Sequence, residues 1–341
     1  MTSRPVGPLG VLAALVAVGA VTAGAVWVAT DSTRSGAHQL AQTRAVVTAR
    51  LADLVLVPGG AVRIGDDDAP ADEGPSFNAR TQPFLMDRTP VTVAQFRRYV
   101  AETGYVTEAE RFGEGAVLDH AAGGWTLQRK ANWRHPRSEA GPAARDDHPV
   151  TQVSWNDADS FCRAYGARLP TEIEWERAGR LGQTADGHVF KAGDPIEKGG
   201  HFRANVWQGL FPFEDTGADG HVTTSPVGAF GAAPSGLTDM AGNVWEWTAS
   251  WYRPYSQRDA NFKPTAGDER VQRGGSFLCD PSLCQGFRVT ARGHSTPESS
   301  LEHVGFRCVV EPARIKPATG RQRLAQRSVR TEHFRIMGDA G

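Results

Sequence analysis

The stretch Arg273-Gly274-Gly275-Ser276-Phe277-Leu278-Cys279-Asp280-Pro281-Ser282-Leu283-Cys284 anchors the reading of the chain. It sets two of only four cysteines five residues apart, just after a Gly-Gly pair. Two soft sulfur donors at that spacing can close a disulfide or hold a soft metal such as Cu(I). The other two cysteines lie far apart in the chain. Cys162 falls on the apolar face of an expected helix, and Cys308 in the apolar strand Gly305-Phe306-Arg307-Cys308-Val309-Val310. Each alone reads as an inert buried thiol; together they can tie the last strand to the helix. A zinc site using all four is the lesser alternative, because no short Cys-x-x-Cys knuckle is present.

Outward from this stretch, composition bounds the fold. The chain has 341 residues, of which 40% are hydrophobic, enough for a large core. A formal net charge of -1 gives no reason to expect a nucleic-acid partner. Gly (38), Pro (21) and Trp (9) are abundant, so irregular but packed structure is expected, with aromatic rings filling the space between loops. Residues 1–30 contain an uncharged apolar run over 9–30, which reads as a signal peptide or N-terminal membrane anchor. Residues 31–50 read as a linker, and 313–341 as a basic, solvated tail.

The folded part is expected over 51–312. A strand from Leu51 ends at the Pro58-Gly59-Gly60 turn, with Ala61–Gly65 as its hairpin partner. The acidic stretch Asp66–Asp68 with Asp72 and Glu73 reads as a solvated loop. Periodicity predicts helices from Thr92 to Gly104 and from Ser154 to Gly166. The capping box Thr171-Glu172-Ile173-Glu174 opens a third helix. Beyond Gly179 the chain reads as short strands and loops, with no internal repeats.

The Arg270–Cys284 segment, with Ala291-Arg292, Thr296–Ser300 and Gly305–Cys308, resembles the active-site region of formylglycine-generating enzymes, the sulfatase-modifying factor family. Further similar motifs are Met86–Thr92, Thr103–Glu110, His148–Ala158, Arg168–Glu176 and Gly242–Trp247. The resemblance covers about 51–312. It implies an α+β fold, one compact domain with little regular secondary structure, related to C-type lectins. It implies an oxidoreductase that uses molecular oxygen to convert the cysteine of a Cys-x-Pro-x-Arg motif, in an unfolded sulfatase polypeptide, to Cα-formylglycine. Cys279 and Cys284 match the thiolates that hold Cu(I), an apt pairing of soft ligands with a soft cation. Ser276 and Trp245 match residues that shape the pocket, and Arg292, Glu114 and Phe287 fall at the substrate groove.

The resemblance also implies two structural calcium ions. Asn205, Val206, Asp219 and His221 match one ligand set; Asp239, Gly242, Val244 and Glu246 match the other, with Asp239 where Asn is usual. Such oxygen donors suit a hard cation. Cys162 and Cys308 match a family disulfide, which implies an extracytoplasmic location, secreted or membrane-anchored. A second family disulfide is missing at both ends, where Gly179 and Val289 stand. The groove departs from the family pattern: Leu283 replaces a common Tyr, Gln285-Gly286-Phe287 follows the cysteines, Glu114-Gly115 replaces an Asp-Ser-like pair, and His303 stands where Asn is usual. An exposed loop carrying Phe287 is expected to admit a different peptide. The alternative is a non-catalytic binding module with Cys279–Cys284 as a disulfide. An iron-dependent sulfoxide synthase would need clustered histidines, whereas His120, His135 and His148 are scattered.

Overall fold

The computed structural model describes residues 53–181, 194–258 and 261–312. The expected N-terminal segment, linker and basic tail lie outside the described residues. Among the described residues no helix is long and apolar enough to cross a membrane.

The domain is α+β, with short elements joined by long packed loops. In chain order come β1 (Leu54–Val57), β2 (Gly60–Ile64), β3 (Phe77–Thr81), β4 (Phe84–Asp87), α1 (Val93–Thr103), α2 (Glu108–Phe112), β5 (Glu114–Asp119), β6 (Gly124–Arg129), α3 (Trp155–Ala164) and α4 (Glu172–Arg180). Four two-residue strands follow: β7 (Glu197–Lys198), β8 (His201–Phe202), β9 (Gly209–Leu210) and β10 (Glu214–Asp215). The last are β11 (Trp245–Trp251), β12 (Arg270–Arg273), β13 (Gly293–Ser295), β14 (Val304–Gly305) and β15 (Val309–Val310).

The three expected helices form, each started by a reciprocal capping box: Thr92 with Gln95, Ser154 with Asp157, and Thr171 with Glu174. Gly104 closes α1 at φ 68°, the left-handed conformation glycine adopts without penalty. The same grammar builds the unexpected α2: Thr107 caps it with Glu110, and Gly113 ends it. Only five residues long, it lacks the repeated apolar period by which the others are legible.

The expected β1–β2 hairpin is not formed. β1 pairs antiparallel with β4, and β4 with β15, while β2 pairs with β3. Alternation explains the choice: Val55 and Val57 point inward and pack with Phe84, Met86 and Val309. The Pro58–Gly60 corner is instead held by Arg177, which donates to the carbonyls of Pro58, Gly59 and Ala61. The acidic loop is also corrected at one residue. Glu73 is buried and forms an ion pair with Arg288, 215 residues away.

The main sheet has the order β13-β12-β11-β14, with β11 and β14 parallel. Trp175 and Trp247 are fully buried, in separate clusters. The disulfide Cys162–Cys308 ties α3 to the segment before β15. It leaves only two thiols, so zinc held by four cysteines is excluded.

Candidate active site

The site is built where β12 ends. Gly274 and Gly275 take φ 99° and 72°. A Cβ on Gly275 would lie 2.5 Å from the Phe287 backbone nitrogen, so only glycine lets the chain pass so near the 286–287 backbone. The crossing closes a loop that carries both cysteines. Cys279 is buried and Cys284 exposed, both are free, and Sγ of Cys284 lies 2.7 Å from that of Cys279. No disulfide joins them, contrary to the binding-module alternative.

Burial, and then the neighbouring Cys284, push the Cys279 thiol well above its usual pKa. The hydrogen bond from Cys279 lowers that of Cys284, with help from the Gly286 amide and the Arg288 charge against the cost of burial. The pair therefore has an acidic outer sulfur and a protected inner one. Trp245 stands beside them. Gly286 is the spacer: a Cβ there would sit 2.5 Å from Trp245 Cζ2 and 2.8 Å from Cys279 Sγ. Ser276 is fully buried; its Oγ accepts from the Leu278 amide at 3.2 Å and shares a 3.0 Å hydrogen bond with His303 Nδ1.

A cleft of about 250 Å³ opens nearby, lined by Phe112, Glu114, Ala116, Leu127 and Glu298. Its floor is the β5–β6 hairpin, in which Glu114, Ala116 and Leu118 face Arg129, Leu127 and Trp125 in register. Leu118, at the other end of that face, packs with Phe277 and Leu278 of the cysteine turn. The hairpin thus joins the acidic cleft to the turn residues that precede Cys279.

Two expected groove residues are elsewhere. Arg292 is buried, with a two-point ion pair to Glu172, donations to the carbonyls of Asp72 and Arg253, and Tyr255 stacked at 4.2 Å. It is a structural clasp, its donors committed within the protein. Phe287, expected on an exposed loop, is buried in the same core cluster as Cys279 and Trp245. Leu283, between the two cysteines, is the exposed apolar residue of that loop at 69%. Gly286 and Glu298 stand in the quoted motifs without a role; neither spacing nor composition signals a residue that acts by what it leaves empty, or by lining a cleft from a distant loop.

Among the described residues no three His, Cys, Asp or Glu side chains converge to hold a metal. The cysteine pair therefore stands as a two-sulfur donor set, which suits a soft d¹⁰ cation. The first expected calcium set fits a cation. Asn205 Oδ1 is buried without a hydrogen-bond partner, and the Gln208 amide nitrogen donates to both the Val206 carbonyl and Asp219. Burial raises the Asp219 pKa, a cost that a cation would offset. The second set does not fit as expected. Both Glu246 carboxylate oxygens are taken by Arg307, and one also by Trp175. Asp239 is already bonded to the Gly228 amide and the Thr238 hydroxyl.

Residues 39–312 match the sulfatase-modifying factor enzyme 1-like domain. The chain is 43% identical over 277 residues to the formylglycine-generating enzyme of Streptomyces coelicolor, covering 74% of this chain and 88% of that protein. It is also 40% identical over 286 residues to the mouse protein named inactive C-alpha-formylglycine-generating enzyme 2, covering 77% and 87%. The solved structure of PvdO from Pseudomonas aeruginosa shares the fold at a TM-score of 0.56 and 24% identity, covering 76% of this chain and 94% of that one.

Proposed function

The chain belongs to the formylglycine-generating enzyme (sulfatase-modifying factor) family, and from that premise we propose that it activates sulfatases by oxidising the cysteine of a Cys-x-Pro-x-Arg segment to Cα-formylglycine. The observation that carries this reading is the pair of free thiols, Cys279 and Cys284, 2.7 Å apart beside Trp245. Relatives named as active and as inactive are about equally similar in sequence, so identity alone does not decide between them.

The chemistry needs a donor site for one more thiol and for oxygen. Cys279 and Cys284 would hold Cu(I), which supplies a binding place for the substrate sulfur and for dioxygen. Cys284, the more acidic of the two sulfurs, is the one open to the surface, while burial protects Cys279 from solvent. Trp245 walls the site and excludes water. Converting CH2–SH to an aldehyde with release of hydrogen sulfide removes two electrons, and reducing dioxygen to water takes four. The remaining two come from a thiol reductant.

The hairpin provides a ruler for the peptide. Glu114 and Leu118 are four residues apart, about 13 Å along a strand. Cysteine and arginine in an extended Cys-x-Pro-x-Arg segment are also four residues apart. With the cysteine at the thiols, its arginine reaches Glu114 and Glu298, whose carboxylates suit a guanidinium. The same reading includes a structural Ca²⁺ at Asn205, Val206, Asp219 and His221. It places the domain outside the cytoplasm, in keeping with the Cys162–Cys308 disulfide.

The test is direct. Protein loaded with Cu(I), given dioxygen, reductant and a Cys-x-Pro-x-Arg peptide, should yield an aldehyde that reacts with hydroxylamine, with the mass change of one sulfur and two hydrogens lost and one oxygen gained. Absence of conversion by protein whose copper content matches one ion per thiol pair would reject the reading.

A further inference from the structure

His303 makes three contacts that the proposed reaction leaves unexplained. Its Nδ1 shares the 3.0 Å hydrogen bond with Ser276 Oγ, and that oxygen also accepts from the Leu278 amide. The Ser276 carbonyl accepts from the Cys279 amide at 2.9 Å, so the link runs into the turn bearing the inner thiol. The His303 carbonyl accepts from the Trp245 amide at 2.9 Å. The imidazole lies against the Trp125 ring, 4.9 Å between centroids, and Trp125 is 51% exposed on the hairpin that floors the cleft. One residue thus touches the thiol turn, the Trp245 strand and the substrate-facing hairpin.

We propose that His303 is a positioning residue, which fixes the Cys279 turn and Trp245 in register with the peptide-binding hairpin. The proposal rests on the oxidase reading above. A proton-transfer role is not favoured, since burial holds the imidazole pKa down at about 3 and the ring neutral near pH 7. What it contributes is geometry: the Ser276 hydroxyl has its partners fixed, and the turn cannot rotate without breaking that bond. A metal held by two sulfurs on one short loop is sensitive to such rotation, because each sulfur's direction follows from the loop backbone.

The experiment compares His303→Asn, which keeps a short polar side chain for Ser276, with His303→Leu, which does not, and with Ser276→Ala and the Ser276→Ala/His303→Leu pair. Two quantities are read: Cu(I) affinity by competition with a chromophoric chelator, and kcat and KM for the peptide. Loss of one buried hydrogen bond should weaken Cu(I) binding and lower kcat by about tenfold each in His303→Leu, with KM changed less than about twofold. His303→Asn should stay within about threefold of the parent, and the double variant should be no worse than the worse single one. Equal damage from Asn and Leu, or additive losses in the double variant, would overturn the proposal. If His303→Leu does not fold, Ser276→Ala removes the same bond from the other side and the comparison with His303→Asn still decides. If the parent binds Cu(I) but oxidises no peptide, the oxidase reading fails, while the chelator competition still tests His303.

Discussion

Gly286→Ala should cripple the site through a single methyl group. Gly286 has no left-handed φ, so alanine is free to adopt its backbone conformation. The cost is contact alone. The new Cβ would meet Trp245 Cζ2 at 2.5 Å, Cys279 Sγ at 2.8 Å and Trp245 Cη2 at 2.8 Å. Ordinary carbon contacts begin near 3.5 Å, so something must move by the better part of an ångström. Trp245 is buried against β13 as well, where a Cβ on Gly293 would stand only 3.2 Å from its ring. The ring therefore has little room to retreat, and the cysteine loop is the part that yields. Overpacking of this kind costs about 1–3 kcal/mol. For a domain of this size that lowers the melting temperature by roughly 2–4 °C for each kcal/mol. Displacement of Cys279 should also reduce Cu(I) affinity and peptide oxidation by more than tenfold. Circular dichroism melts, chelator competition and the peptide assay measure the three effects. Gly104→Ala is the control: its Cβ would meet nothing within 4 Å, but φ is 68°, so it should cost about 1 kcal/mol and leave activity intact. A Gly286→Ala protein with parental melting and copper affinity would refute the steric argument.

Four further outcomes are expected. Cys162→Ser should lower stability by about 2–5 kcal/mol in urea titrations while the refolded protein keeps its activity in the cold. Gly179→Cys with Val289→Cys should close a disulfide, because the Cβ position at Gly179 is 2.9 Å from Val289 Cγ2; non-reducing mass spectrometry after thiol alkylation reports it. Glu114→Gln should raise KM for a peptide with arginine in the motif and leave KM almost unchanged for one with glutamine there. The lowered His303 pKa has a fixed sign: the unfolded chain binds the proton more readily, so stability is lost as pH falls from the unfolded value of 6.5 towards about 3. Each pH unit in that window removes up to about 1.4 kcal/mol, and His303→Asn should flatten this part of the urea-midpoint profile.

What the sequence discloses here is local grammar and chemical type. Apolar periodicity marks the helices after Thr92 and Ser154, and the capping box at Thr171 marks the third, because both signals lie within a few residues of one another. The thiol pair is legible because five residues separate its members. Strand partnership is not local, which is why β1 was expected to pair with β2 and in fact pairs with β4. Arg292 shows a second limit. A charged residue near an active-site motif reads as a substrate contact, but Glu172, 120 positions earlier, had already claimed it. Phe287 shows a third: its burial is set by the close crossing at Gly275, a contact between backbones that no pattern of side chains announces.

The cystine described above also imposes an order of events on a chain that emerges from its N-terminus. Cys162 appears first and its partner Cys308, 146 positions later, last. Cys279 and Cys284 arrive earlier than Cys308, and β15, which completes the sheet against β4, arrives after it. For that interval the only thiols within reach of Cys162 are the reactive pair. In an oxidising compartment a newly made chain would thus face a competition between the correct staple and a cross-link that would consume Cys279 or Cys284. Correct maturation requires either that oxidation waits for the final strand or that an isomerase rescues the wrong bond, and the yield of active protein becomes a measure of how well the compartment times its chemistry.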